Sequence, residues 1–478
     1  MNLADHKASQ ITLLSALIPI VCLVLLLALN VFVFGDEAIS GSNQFVLLIG
    51  GAIASIVGMF YKIPFKSMVN QVGDNLKSVT GAILILLLVG SLSASWLISG
   101  IVPAMIYYGI QLINPTLFLP SAVIISAIIS IATGSSWSTS ATIGIALIAI
   151  GKALGIPAGI VAGAVISGAY FGDKLSPLSD TTNLAAAMAG SSLFTHIRYM
   201  LYTTIPSISI TLIVFMLISF TIDSGELSSN QNILTSIQES FYITPWLFVV
   251  PFVVILLIIK KVSPIIALFT GTILGLVLVY FFQTSIFSGS FFENYSFYMN
   301  AISSGVSIQT TNQTLNGLFI SGGMEGMLGT IWLIICAMVF GGIMESIGAL
   351  SRISKALLAL GDSVFSLFAS TLASCLTINL TASDQYLSIV VPGKMFSKAF
   401  EEKNLAPENL SRTLEDSGTV TSVLIPWNTC GAYQSGVLGV GVSEYFMYAV
   451  FNYISPFMTL IFAAFKIKIR ERLKVTAT

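Results

Sequence analysis

Charge is scarce in this sequence. Only 9% of its 478 residues are Asp, Glu, Lys or Arg, and 55% are hydrophobic, whereas soluble domains carry about a quarter charged residues. With a mean hydropathy of +0.93, a water-surrounded globule is excluded and a membrane protein is indicated. A net charge of −1 excludes a nucleic-acid partner and a polybasic membrane-surface role. Cysteine is also sparse: Cys22, Cys336, Cys375 and Cys430 fall in apolar segments without CxxC spacing, which points to inert buried thiols over disulfides or metal ligands. Histidine is limited to His6 and His196, and neither HExxH nor GxSxG occurs. No catalytic residue is therefore assigned, and a transporter is expected in place of an enzyme.

What the chain does have is long apolar runs. Spans are read at 11–34, 44–61, 79–98, 198–221, 243–260, 264–282, 328–349 and 443–466, each able to cross a bilayer. The first has no small-residue cleavage pattern after it, so it reads as a transmembrane helix and not as a removed signal peptide. Two further apolar regions, 117–191 and 363–440, are interrupted by polar, Gly-rich or Pro-containing stretches.

The order of these features occurs twice. A first unit covers 11–221, with a hairpin at about 117–154 and a broken helix at about 156–191. A linker at 222–242 leads to a second unit at 243–466, with a hairpin at about 363–400 and a broken helix at about 409–440. Gly90 and Gly341, Thr133 and Thr377, Asp173 and Asp416, Asn183 and Asn428, and Pro206 and Pro456 are separated by 243 to 251 positions. The matched order of breaks marks an internal repeat.

Basic residues orient the two units, because short cytoplasmic loops collect Lys and Arg. His6 and Lys7 in the N-terminal segment 1–10, then Lys62, Lys66, Lys77, Lys260, Lys261 and the basic tail 467–478 with Lys474, are expected inside. Loops 35–43, 222–242 and 283–327 carry Asp36, Glu37, Asp223, Glu226, Glu239, Glu293 and Glu325 without Lys or Arg, and are expected outside. The units then have opposite topology, with both chain ends cytoplasmic. If both hairpins are re-entrant, with tips at TGSSWSTSAT (133–142) and TINLTASDQ (377–385), each unit makes five crossings and Lys152 is the exception. The fold expected is thus an all-α polytopic membrane protein of two inverted repeats, each with a re-entrant hairpin and a helix broken at mid-membrane. Non-helical backbone at that depth persists only against protein or a water-filled cavity, so the tips and breaks are expected to face one interior site.

The interior carboxylates are read as Asp173, Asp180, Glu345, Asp384, Glu415 and Asp416, alongside Lys174. Each such charge costs about 2.5 to 3.5 kcal/mol at the bilayer centre. Their neighbours are hard oxygen donors: Ser176, Thr181 and Asn183 beside Asp180; Thr381 and Ser383 beside Asp384; Ser417, Asn428 and Thr429 beyond Asp416. Such ligands suit alkali or alkaline-earth cations and not zinc, copper or iron. Pro177 and Pro426 lack a backbone donor and leave carbonyls free. Burial favours a neutral carboxyl and a bound cation favours the carboxylate, so H⁺ and Na⁺ compete naturally for one such group. Asp180 and Asp384 are the leading candidates to bind the metal cation, with Asp173 and Asp416 as ligands or ion-pair members.

Plainer readings stand beside these. A polar stretch between apolar segments is commonly a surface loop. Lys174 reads best as the local ion-pair partner of Asp173, Glu345 can snorkel to the interface, and His196 with Arg198 can anchor a helix end. The glycines from Gly155 to Gly172 suit close helix packing. FGD at 171–173 is part of what an intramembrane aspartyl protease requires, but Tyr170 replaces the needed Gly and no Tyr-Asp pair occurs.

GSSWSTSATIG (134–144), GDKLSPLSDTTNLA (172–185), TASDQYLSIVVPGKMF (381–396) and LEDSGTVTSVLIPWNTCGAY (414–433) resemble the NhaC family of sodium/proton antiporters over about 79–456. The resemblance implies a cell-membrane antiporter exchanging Na⁺ or Li⁺ for H⁺, with these ions as cargo and no cofactor. It also implies a scaffold formed by the early spans of each unit, a transport domain that moves like an elevator, and dimerisation through the scaffold. Some relatives exchange malate and H⁺ for lactate and Na⁺, which would make a small carboxylate a further partner and give Lys174 or Arg412 an anion to meet.

Overall fold

The computed structural model describes residues 11–34, 41–112, 114–222, 227–284 and 290–472. His6, Lys7, Asp36, Glu37, Asp223, Glu226 and Lys474 lie outside the described residues. The fold is that of a predominantly helical polytopic membrane protein. Among the described residues, eight helices are long and apolar enough to cross a bilayer: Leu13–Phe34, Ser42–Phe60, Thr80–Ile98, Pro115–Thr133, Leu193–Thr221, Pro264–Phe282, Glu325–Ser346 and Val364–Thr381. Two bent pairs raise the number to ten: Asn232–Ser240 with Pro245–Ile259, at 83°, and Val442–Tyr448 with Val450–Ala464, at 51°. The outward faces carry large apolar side chains such as Phe32, Phe60 and Phe220, a surface that hydrocarbon solvates and water does not.

The polar loops are more ordered than a reading by hydropathy shows. Phe65–Ser78 is an amphipathic helix whose inner face buries Met68 and Asn75. Phe291–Ser304 starts with a capping box of Ser290 and Glu293, and a short ribbon pairs Val306–Ser307 with Ile320–Ser321.

Two helical stretches are interrupted by short turns. The first runs Ala158–Leu175, breaks at 176–179, and resumes as Asp180–Ala189. Every residue from Gly159 to Tyr170 in it is buried, as are Asp173 and Lys174. The second runs Pro407–Leu414, passes through a π-turn at Glu415–Thr419 and a 3₁₀ turn at Ser422–Leu424, and resumes as Thr429–Leu438. Each is preceded in sequence by a helical hairpin: Phe118–Thr133 with a second arm through Ile145–Ala153, and Val364–Thr381 with Gln385–Glu402. The first hairpin packs against the first interrupted helix at van der Waals distance, because a Cβ on Gly172 would lie 2.4 Å from the Ala127 carbonyl oxygen. Ser130 Oγ donates to the Ala169 carbonyl at 2.6 Å across the same seam.

Candidate functional site

The two hairpin tips share one local design. In the first, Gly134 adopts left-handed backbone (φ 70°), and the Ser135 hydroxyl then caps the next helix by accepting the Ser138 amide at 3.2 Å. In the second, Ser383 is left-handed (φ 59°) and Asp384 is the cap, its Oδ1 accepting the Leu387 amide at 2.9 Å. A left-handed residue ends one helix and an oxygen satisfies the free amides that start the next. Each tip also seats on the break that follows it. A Cβ at Gly134 would lie 2.7 Å from the Leu178 carbonyl carbon, and the Thr429 amide donates to the Ser383 carbonyl at 2.9 Å.

Hydroxyl and amide side chains shape the first break. Ser176 Oγ donates to the Ile131 carbonyl at 2.8 Å, and Asn183 Nδ2 donates to the carbonyls of Pro177 and Ser179 at 3.0 and 2.6 Å. Both candidates thus hold the turn closed through backbone carbonyls, that of Ser179 also accepting the Asn183 backbone amide at 3.2 Å. Ser179, and not Asp180, caps the second segment by accepting the Thr182 amide at 3.3 Å. Asp180 is exposed at the first helical position, and Tyr386 of the second hairpin donates to its Oδ2 at 2.5 Å.

The second break is tied to its own hairpin by a pair of amides. Asn428 caps Thr429–Leu438 by accepting the Cys430 amide at 3.0 Å, and its Nδ2 donates to the Asn379 carbonyl at 3.1 Å. Asn379 Nδ2 in turn donates to the Gly418 carbonyl at 2.7 Å. Three other candidates are locally engaged: Thr381 donates to the Thr377 carbonyl, Ser417 to the Thr413 carbonyl, and Thr429 Oγ1 meets Asn428 Oδ1.

The charged groups sort into a closed pair and an open one. Lys174 bonds the Asp416 carboxylate, with both side chains wholly buried. Asp416 also accepts from Ser455 at 3.0 Å, Thr203 at 2.9 Å and Thr459 at 2.5 Å, so all its lone-pair directions are used. The local pair expected between Lys174 and Asp173 does not form, because consecutive residues on a helix point about 100° apart. Asp173 instead accepts the Ser136 amide at 3.1 Å and its hydroxyl at 2.7 Å, both on Oδ2, and its Oδ1 has no hydrogen-bond partner. Glu415 accepts Thr181 Oγ1 on Oε1 at 3.1 Å, and its Oε2 is likewise unpartnered.

The sequence marks Glu415 as an interior carboxylate but does not single it out as part of the site. The π-turn at Glu415–Thr419 shifts the helical phase, so which of two adjacent acids faces inward is not set by a 3.6-residue period. Among the described residues, two further buried titratable groups have unpartnered nitrogens: His196, and Arg412, whose guanidinium lies 4.5 Å from the Tyr199 ring centroid. Glu345 sits apart, half-buried and within reach of Asn75 when that amide is oriented by its neighbours. Among the described residues, no three His, Cys, Asp or Glu side chains gather to hold a metal ion; apart from Asp416, which Lys174 meets, Asp173, Asp180, Asp384 and Glu415 are met by hydroxyls and backbone amides.

The Na⁺/H⁺ antiporter family matches residues 168–467, a stretch that begins inside the first interrupted helix and holds its break, the second hairpin and the second interrupted helix. The chain belongs to the Na⁺/H⁺ antiporter family. Two members named Na⁺/H⁺ antiporter NhaC are similar to it: one from Alkalihalophilus pseudofirmus, 38% identical over 86% of this chain and 87% of the relative, and one from Bacillus subtilis, 36% identical over 87% and 90%. The malate-2H⁺/Na⁺-lactate antiporter of Bacillus subtilis is 35% identical over 96% of this chain and 94% of that protein. The open carboxylates Asp173 and Glu415 both lie within the residues that the Na⁺/H⁺ antiporter family matches.

Proposed function

We propose that this chain is a secondary antiporter that exchanges Na⁺ or Li⁺ for H⁺ across the cell membrane. The observation that carries the reading is the meeting of two polar helix breaks and two hairpin tips around buried carboxylates, and those carboxylates, though not the first tip, lie within the stretch matched by the Na⁺/H⁺ antiporter family. Carboxylates with neutral oxygen donors suit a hard monovalent cation or a proton, and a carrier needs a site that accepts either. Asp180, exposed and held by Tyr386, and Asp384, buried at the start of its helix, are the first candidates to carry the ion. The ions are cargo, and no cofactor takes part.

The same reading takes 11–221 and 243–466 as inverted repeats with re-entrant hairpins, helices broken at mid-membrane and both chain ends in the cytoplasm. In support, hairpin and interrupted helix follow each other in the same order twice, and each tip seats on the next break. The early spans of the two repeats join directly, Ser95 Oγ donating to the Thr272 carbonyl at 2.7 Å and Trp96 Nε1 to the Gly271 carbonyl at 3.3 Å. Such a joined scaffold, which would also carry a homodimer contact, leaves the hairpins and interrupted helices free to move as an elevator. Alternating access by one bundle moving against another is a familiar consequence of this repeat plan.

The test is transport in proteoliposomes. Na⁺ addition is expected to release trapped protons, and Asp180→Asn and Asp384→Asn are expected to impair this; full exchange in both variants removes them from the site. A second reading, Na⁺-coupled exchange of small carboxylates, is favoured by the likeness to the malate-2H⁺/Na⁺-lactate antiporter and by the unpaired Arg412 guanidinium. Malate or lactate dependence of Na⁺ flux in the same vesicles separates the two.

A further inference from the structure

We infer that Asp173 and Glu415 form a cation-binding pair, one carboxylate from each half of the chain, completed by the hydroxyls of Thr181 and Thr419 and selective for a small alkali cation. The inference deepens the exchange reading above and rests on it for the identity of the ion as cargo.

The first argument is charge. Both carboxyl groups are at most 5% exposed, and adjacent hydroxyls of the first break link their residues, Thr181 Oγ1 donating to Glu415 at 3.1 Å and Thr182 Oγ1 to the Asp173 carbonyl at 3.3 Å. Lys174, the nearest candidate counter-charge in sequence, is bonded to Asp416. Arg412 faces the rings of Tyr199 and Phe462, and the remaining nearby acid, Asp180, adds negative charge. Neither buried cation bonds Asp173 or Glu415, and Lys174, whose charge reaches Glu415, is committed to Asp416, so among the described residues the pair has no positive partner of its own. A buried charge without one carries a penalty of several kcal/mol, which an ion from outside removes.

The second argument is geometry. Each carboxyl spends one oxygen on protein donors and keeps the other open: Asp173 Oδ1 and Glu415 Oε2. Thr419, on the same π-turn, has a buried hydroxyl directed at the Glu415 carboxyl, as the buried Ser179 hydroxyl is at Asp173. Thr181 holds Glu415 from the far side of the first break, and its Oγ1 lies 3.1 Å from Ser179 Oγ. The open groups are all hard oxygens, with no imidazole or thiolate among them, the donor set of an alkali ion. Because Asp173 belongs to the first interrupted helix and Glu415 to the second, one cation between them would draw the two halves together. That gives cargo a direct hold on the relative position of both breaks.

The experiment uses the full chain, purified in detergent and reconstituted. Melting temperature is followed against NaCl and LiCl at constant ionic strength set with choline chloride, beside ²²Na⁺ binding. Wild type is expected to gain stability with Na⁺ and Li⁺ but not choline, and Asp173→Asn and Glu415→Gln to lose that gain. Thr181→Ala is expected to raise the half-saturating Na⁺ concentration about tenfold, the loss of one good ligand interaction, and Glu415→Asp to restore part of the response. A Glu415→Gln protein with the wild-type Na⁺ response overturns the inference. If that variant does not fold, wild-type half-saturation in Thr181→Ala overturns it equally, as does stabilisation by Ca²⁺ in place of Na⁺. The two levels fail separately. Na⁺-driven proton release that ignores Glu415 leaves exchange standing without this site, and Glu415-dependent Na⁺ binding without proton release leaves the site without exchange.

Discussion

Lys174 and Asp416 are bonded across 242 positions of sequence, and neither side chain has exposed surface. The bond joins the first interrupted helix to the π-turn of the second, and Ser455 touches both partners. It uses up the positive charge adjacent to Asp173 and leaves the two flanking acids, Asp173 and Glu415, to find another. Closed and open charges therefore stand side by side on the same two elements.

Removing one partner of this pair is expected to destabilise strongly. Lys174→Met leaves Asp416 with hydroxyl donors alone, and a broken buried pair costs about 3 to 5 kcal/mol. Lys174→Met with Asp416→Leu removes both charges and is expected to recover part of the loss. Thermal unfolding of the single and double variants in detergent measures this; additive losses would show that the bond carries no coupling.

Asp384 combines a helix cap with a candidate charge, and the two roles separate by substitution. Asn caps about as well as Asp, whereas Ala costs about 1 kcal/mol. Asp384→Asn is expected to melt like wild type but exchange poorly, and Asp384→Ala to lose both stability and exchange. Equal melting temperatures for Asn and Ala would show that the bond from the Leu387 amide contributes nothing.

The spans and the places where they fail were legible because lipid demands long apolar runs and every polar intrusion stands out against them. The expected hairpins at 117–154 and 363–400 sit close to helical arms that begin at Phe118 and Val364 and end at Ala153 and Glu402. The partner of Lys174 was not legible, since nothing local distinguishes Asp173 from an acid 242 residues away. Nor was the inward turn of Glu415, which follows from the π-turn. The helix Phe65–Ser78 escaped notice because it is too polar to read as a span, although its inner face is buried. The oxygen-rich composition of the breaks was visible, but Ser176 and Asn183 proved to shape the turn, which a composition cannot tell from ligation.

The C-terminal segment gives a graded test of surface and buried ion pairs. Residues 470–472 lie along 404–409, with the Ala406 amide donating to the Arg470 carbonyl and the Arg472 amide to the Asn404 carbonyl, both at 2.9 Å. Arg470 meets the nearly buried Glu408 at 2.8 Å, while Arg472 and Glu401 pair at 2.6 Å with both side chains largely exposed. Arg470→Gln is expected to cost about 1 to 3 kcal/mol, since it strips a charged partner from a buried acceptor. Arg472→Gln is expected to cost under about 1 kcal/mol, and less at high salt. Equal losses on thermal unfolding would contradict the difference in burial.

Arg412 separates a packing role from an anion-binding one. Its guanidinium is wholly buried, makes no hydrogen bond, and lies 4.5 Å from the Tyr199 centroid and 5.8 Å from that of Phe462. A planar cation stacked on a ring gains up to about 2 kcal/mol when desolvated, but the buried charge works against it. Arg412→Met removes both terms and fills similar volume, so its stability is expected to stay within about 1 kcal/mol of wild type. Arg412→Lys keeps the charge but loses the flat stack, and is expected to be the less stable variant. Thermal unfolding decides the order, and a more stable Lys variant would mean that charge matters here more than shape. Transport then addresses cargo: Na⁺-driven proton release is expected to survive Arg412→Met. An anion-dependent Na⁺ flux that disappears in the same variant would instead assign the guanidinium to a substrate carboxylate.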